Sequence, residues 1–437
     1  MTKSDIILRV LEVALWIRVT MGFVCQMMFT DLSPALPFAY LAFDVVIVAL
    51  GCWTLSDRRD LVFGAVLLVV SALVTIAYNH ESLFFYLNGI RDFLGYLFVL
   101  PVLRYLMADE RRWESAGKRI DRFIYLYLWL QFPCMLIQFL YYGAGDHVGG
   151  SLGDYQSGMT STFLFLGSFY LLQKRLDRNR LLASLWENKQ YLVMLFPAFL
   201  NETKVSFVYL ALYLLLLLPF DRKMFIRLTL AIPAIALLFY GAIVTYLVTT
   251  GNKASDVFSI EYYAESYLLA ENGEETQKYA EWLLENDGDQ YQKNEDVPRF
   301  SKFLFLFELQ DEEPGHALTG WGVGHFKGGT LVPNSDFYLQ NEWLLIGTIP
   351  YLFHILVQLG WLGVALMTAF FALLLFRRPV AGAARNYNLQ FYVLALLLLI
   401  MVYQDFLRNA LVCFFIFYVM AQSWKLPQGQ EETEVEA

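Results

Sequence analysis

Charge is what this sequence has least of. Of 437 residues, 17 per cent are Asp, Glu, Lys or Arg and 57 per cent are apolar, where an ordinary soluble domain carries about a quarter charged residues. That balance excludes a simple water-soluble globule. Histidine is rarer still, at five, with no metal-ligand spacing among them. The four cysteines, Cys25, Cys52, Cys134 and Cys413, all fall inside apolar stretches. None stands in a water-exposed loop, which argues against a disulfide framework or a cysteine metal site and makes them packing residues. No small-residue cleavage site follows the N-terminal "MTKSDIILRVLEVALW", so this segment reads as a retained first span. There is no low-complexity tract and no basic stripe, and the acidity of the one long hydrophilic segment argues against nucleic-acid partners.

What the chain has in quantity is long apolar runs. Runs such as 61–78 and 351–376 are long enough for a bilayer core of about 30 Å, which takes about 20 helical residues. Lipid offers backbone groups no water, so spans are helices or closed barrels, and continuous rather than alternating runs select helices. The expected fold is an all-α polytopic membrane protein. Its twelve spans fall near 6–28, 35–54, 61–78, 83–107, 123–142, 159–175, 190–201, 204–220, 224–249, 350–376, 389–404 and 408–424.

Basic residues sort by side. Alternate connections carry Arg58 and Arg59; Arg111, Arg112, Lys118 and Arg119; Lys174, Arg175, Arg178 and Arg180; Arg222 and Lys223; Arg377, Arg378 and Arg385. The opposite connections "TDLSP", "NHES" and "GAGDHVGGSLGDYQSG" have no Lys or Arg. The positive-inside rule then puts both termini in the cytoplasm. It also resolves the polar interruption "NETK" (201–204), which becomes an outward elbow between two spans.

Three cations break this pattern. Lys204 and Arg408 stand in outer turns that otherwise avoid basic charge. Arg91 lies eight residues into its span, roughly 12 Å deep at 1.5 Å per residue, where a charge usually faces a cavity or a partner. The one long hydrophilic segment, 251–348, holds 18 acidic and 6 basic residues, so it supplies all the chain's acidity. Its helix-spaced apolar residues predict amphipathic helices over the membrane domain, one of them starting after Pro298 and followed by the glycine-rich "GHALTGWGVGHFKGG". The domains are therefore spans over 1–250, an outer helical loop over 251–348, spans over 349–424 and an acidic tail over 425–437.

Four local patterns resemble the bacterial O-antigen polymerases and the related O-antigen ligases. Arg299 opens a helix that ends about twenty residues later in "GWGVG" (320–324), similar to the family's Arg-led helix and Gly-x-Gly turn. "QLGWLG" (358–363) is similar to the family's "E-x-G-x-x-G", "NETKVSF" to its small-polar and basic elbow, and "DHVGGSLGDYQSG" to the turn before the sixth span. The layout, with its long outer loop, also fits. Two departures favour polymerase over ligase. The ligase histidine position falls near Ile349 and Pro350, His354 being too close to Gly360, and the elbow base is Lys rather than Arg.

The resemblance implies a glycan donor on undecaprenyl pyrophosphate, an acceptor sugar hydroxyl, and transfer at the outer face of the bacterial inner membrane. Membrane lipids, a chain-length regulator and a flippase are the implied partners. No cofactor or metal is implied. Fixed cations aimed at the leaving pyrophosphate are the major catalytic need, and Arg91, Lys204, Arg299 and Arg408 are the candidates. His325, Asp336 and Glu202 are candidates for the base that takes the acceptor proton. The plainer reading is that these cations pair with Glu202, Asp405 or Asp44 to close the bundle. "DGD" (287–289) matches a nucleotide-sugar motif but reads as a solvated turn, and "GVGHFKGG" follows no strand and cradles no phosphate. A ligase, a transporter or flippase, and a scaffold are the alternatives.

Overall fold

The computed structural model describes residues 2–29, 36–177, 180–201, 203, 205–217, 299–325, 335–345, 348–376 and 384–425. The expected span over 224–249 and the first half of the long loop lie outside these residues, as do Glu202 and Lys204. The first run of helices is α1 (Lys3–Met27), α2 (Leu36–Thr54), α3 (Arg58–Ala72, continued by a π turn Leu73–Tyr78), α4 (Leu83–Gly89) and α5 (Leu100–Met107). Then come α6 (Glu110–Tyr142), α7 (Ser157–Gln173), α8 (Leu181–Glu187), α9 (Gln190–Val193) and α10 (Val205–Leu217). The last run is α11 (Arg299–Glu312), α12 (Pro314–Thr319), α13 (Asp336–Leu345), α14 (Tyr351–Phe376), α15 (Tyr387–Tyr403) and α16 (Ala410–Gln422). The two described strands, Ala384–Arg385 and Trp424–Lys425, form one short antiparallel pair.

Among the described residues four helices are long and apolar enough to cross a membrane: α2, α3 with its π turn, α6 and α14. A bent pair, Leu83–Phe93 with Gly95–Met107, makes a fifth if counted as one span. Their burial is that of a protein solvated by lipid. Only 22 per cent of the apolar window of α2 or α3 is buried, and Val45, Val62, Val66, Val69 and Leu73 face outward. An exposed apolar face of that extent marks an interaction surface, here a membrane. The centre is held instead by two short helices. All seventeen residues of α7 are buried, as are those of α16 from Ala410 to Ala421, and Phe163 stacks on Phe415 at 4.3 Å between them. α6 is longer than the expected 123–142 because its basic start is itself helical, capped by the Asp109 carboxylate on the Arg112 amide at 2.9 Å.

The helices alternate so that like connections gather. At the basic end, Lys3 donates to the Trp53 carbonyl at 2.9 Å, Arg104 pairs with Asp60 at 2.6 Å, and Lys174 pairs with Asp121 at 2.6 Å. At the other, the loop end, Gln26 donates to the His147 carbonyl and Asn201 to the Ser157 carbonyl, both at 3.0 Å.

The described part of the long loop seats itself on a break in α14. Gly360 has φ 59°, which a residue with a side chain rarely adopts, and the break releases carbonyls from the helix ladder. Two are taken up at once: Trp321 N–H donates to Val357 at 2.8 Å and Gly322 N–H to Gln358 at 3.0 Å. Lipid would leave them unpaired, at a cost of several kcal/mol each. "GWGVG" and "QLGWLG", distant in sequence, are thus two halves of one joint. Around it α11 behaves as its periodicity predicts, burying Phe305 and Leu306 against Trp321, Phe353 and Val357.

Candidate active site

Two short turns make the polar floor of the loop end. Ile90–Phe93 stands where the 83–107 segment breaks by 57°, between Gly89 and Gly95, and carries Arg91 and Asp92. Both glycines are forced by close approach. A Cβ on Gly89 would meet the backbone of Val323 and Gly324, and one on Gly95 would stand 2.6 Å from Cys413 Sγ. The second turn, Phe406–Arg408, joins α15 to α16, packs against the first and carries Arg408 behind Asp405.

Each arginine meets a carboxylate. Arg91 Nε donates to Asp44 Oδ2 of α2 at 2.8 Å, and Arg408 Nε lies 3.0 Å from Asp405 Oδ2. Asp92 Oδ2 lies 3.1 Å from His354 Nε2, in the first turn of α14, and the fields of Arg408 and Arg91 reach it. Arg299, the first residue of α11, stacks over the Tyr403 ring at 4.3 Å, two residues before Asp405. Deeper in the bundle Arg18, 4 per cent exposed, lies 3.5 Å over the Tyr40 ring, one helical turn from Asp44. Arg91, Arg408, Arg299 and Arg18 thus stand with Asp44, Asp405 and Asp92 at or beneath this floor. The side chains of Arg91 and Arg408 keep 40 and 33 per cent of their surface, so neither is sealed from an anion at this end.

The second cluster lies across the Gly89 contact. His325 is 3 per cent exposed between the rings of Phe85 and Phe337, its Nε2 3.9 Å from Glu81 Oε1. Burial pushes this imidazole down to about 4, so it is neutral at ordinary pH. Partial burial, and then the negative charge of Asp336, hold the Glu81 carboxyl above the usual range. Asp336 is exposed at the first residue of α13. Glu81 and Asp336 thus stand on either side of His325, Glu81 at its Nε2 and Asp336 next to Phe337, whose ring packs on the imidazole.

The sequence-predicted residues therefore fall into two adjoining groups: Arg91, Arg408 and Arg299 in one, His325 and Asp336 in the other. Glu202 and Lys204 are not described. Their neighbour Asn201 is, fully buried, its amide on Ser157 O at 3.0 Å and Ser161 Oγ at 2.9 Å at the head of α7. Arg91 and Arg408 have the carboxylate partners that the plainer reading names, Asp44 and Asp405. Four residues went unnoticed as site members. Arg18 and Asp92 sit mid-span, a placement that by itself marks an intramembrane charge as functional. Glu81 stands in a short connection with no other signal, and in the sequence His354 shows only that it is too close to Gly360 for the ligase position. Among the described residues no group of three His, Cys, Asp or Glu could hold a metal ion. No family model matches this sequence, and no curated protein does.

Proposed function

We propose that this chain is a polymerase that joins oligosaccharide repeat units carried on undecaprenyl pyrophosphate, at the outer face of the inner membrane, to build a surface polysaccharide. The observation that carries the reading is the convergence of Arg91 and Arg408, on two turns that pack together, beside the loop residues Glu81, His325 and Asp336. Pyrophosphate departs with the electron pair of the glycosyl C–O bond, and cations held in place stabilise that charge. Arg91 uses only Nε on Asp44 among the described residues, which leaves its two terminal nitrogens for phosphate oxygens. The acceptor hydroxyl forms the new C–O bond and yields its proton to Glu81 or Asp336. In this reading the spans number twelve, the loop is periplasmic, and Lys204 adds a further cation from its elbow.

One observation favours a transporter instead. A span broken at a charged turn is how transporters build a substrate site. Deleting the gene and extracting the glycolipids separates the readings. A polymerase leaves single repeat units on the lipid carrier, accessible from outside. A ligase leaves full-length polymer on the carrier. A flippase leaves single units accessible only from the cytoplasm.

A further inference from the structure

The connection 143–156, between α6 and α7, contributes no residue to the clusters above, yet it presents an unusual surface. Tyr155 is 71 per cent exposed and holds φ 55°, a strained backbone for a residue with a side chain. His147 lies between two tyrosine rings, 5.4 Å from both Tyr142 and Tyr155. Its Nδ1 is 2.8 Å from Asp154 Oδ1, and that oxygen also accepts from the Tyr155 amide at 3.0 Å. Among the described residues nothing occupies His147 Nε2 or Asp154 Oδ2.

From this we infer a sugar-binding platform: the exposed face of Tyr155 stacks against the C–H face of a pyranose, while His147 Nε2 and Asp154 Oδ2 take its hydroxyls. A flat ring beside two fixed polar atoms matches a sugar, which is itself apolar on one face and rimmed by hydroxyls. A lipid contact fits less well. Leu140 and Tyr141 close α6 as an interfacial anchor would, but Tyr155 stands in a polar loop beside Asp154 and Gln156. The platform also adjoins the arginine floor. Ser157 Oγ donates to Asp146 Oδ1 at 2.8 Å, and a Cβ on Gly158 would stand 2.9 Å from the Phe406 ring, at the head of the turn that carries Arg408. A glycan held at one end by Tyr155 therefore extends toward the site of transfer.

The inference deepens the polymerase reading, and its test keeps the two apart. The probe is the oligosaccharide released by mild acid from the lipid-linked pool of a deletion strain. Binding to the full chain in nanodiscs is followed by saturation-transfer NMR. Tyr155→Gly removes the ring while accepting the positive φ, and Tyr155→Phe keeps the ring. We expect Tyr155→Gly and His147→Ala to weaken binding about tenfold or more, a loss of roughly one stacking or hydrogen-bond contact, and Tyr155→Phe to bind as wild type. Wild-type affinity in Tyr155→Gly and His147→Ala, or no binding by the wild-type chain, overturns the platform. If binding behaves as expected but the deletion strain's glycolipids match wild type, the polymerase reading falls and the platform stands.

Discussion

Arg91 sits at a broken span in contact with a carboxylate, and the strength of that contact decides what a substitution there does. Arg91 keeps 40 per cent of its side-chain surface while Asp44 keeps 15 per cent, so water reaches the pair from the arginine side and its loss costs less than that of a fully buried pair. Catalysis has more to lose. Arg91→Ala and Arg408→Ala are expected to cut polymerisation by a hundredfold or more, the scale of one lost charge-stabilising contact, at near-normal membrane levels. Asp44→Asn, which spares the guanidinium, should retain measurable activity. Gel profiles of chain length, normalised to folded protein, check this; wild-type chains from both arginine variants would remove these residues from the site. His325 makes a prediction about pH. Its folded value, about 4, lies below the usual 6.5, so its contribution to stability is full above pH 6.5 and is lost as pH falls toward 4. The gap corresponds to about 3 kcal/mol at 1.36 kcal/mol per pH unit. Melting curves in detergent should show this acid loss in wild type and its absence in His325→Phe.

At the scale of elements, the joint between the outer loop and α14 rests on two glycines facing each other's backbones. A Cβ at Gly320, where φ is 70°, would stand 2.6 Å from the Gln358 carbonyl carbon and the Leu359 nitrogen. Gly143 offers a built-in control: φ is 83°, but its Cβ would meet nothing within 4 Å. Gly143→Ala should therefore cost only the conformational term, about 1 kcal/mol. Gly320→Ala adds a clash with backbone that cannot swing aside, for about 2–4 kcal/mol in all. It should also expose the loop to protease while the spans stay folded. Equal melting temperatures for the two variants would show that the joint does not hold the loop.

For the whole molecule, the prediction concerns sidedness. Basic connections gather at one end through packing, and the positive-inside rule predicts that end on the cytoplasmic side. Glu312→Cys, exposed on α11, should react with an impermeant maleimide in intact cells. Arg111→Cys, exposed at the start of α6, should react only after permeabilisation. Both belong in a background without Cys52, the one exposed cysteine of the four. Labelling of Arg111→Cys in intact cells would invert the topology and carry the proposed outer-face chemistry with it.

Much of this arrangement is already decided by local rules that sequence carries. Continuous apolar runs can only be lipid-solvated or buried helices, basic residues mark alternate connections, and the helix starting at Arg299 follows from its periodicity and the proline before it. A span's length is less secure. α7 and α16 are central yet only 17 and 13 residues long, because a helix wrapped wholly by protein need not match the bilayer. Partnership was out of reach. Asp44 is 47 residues from Arg91, Asp92 meets His354 across most of the chain, and Glu81 meets His325 where Gly89 admits the Val323–Gly324 backbone. No pattern in one sequence states which helices touch. The tertiary structure decides it, because a buried charge and a freed carbonyl in a lipid-solvated bundle have only another part of the same chain to bond.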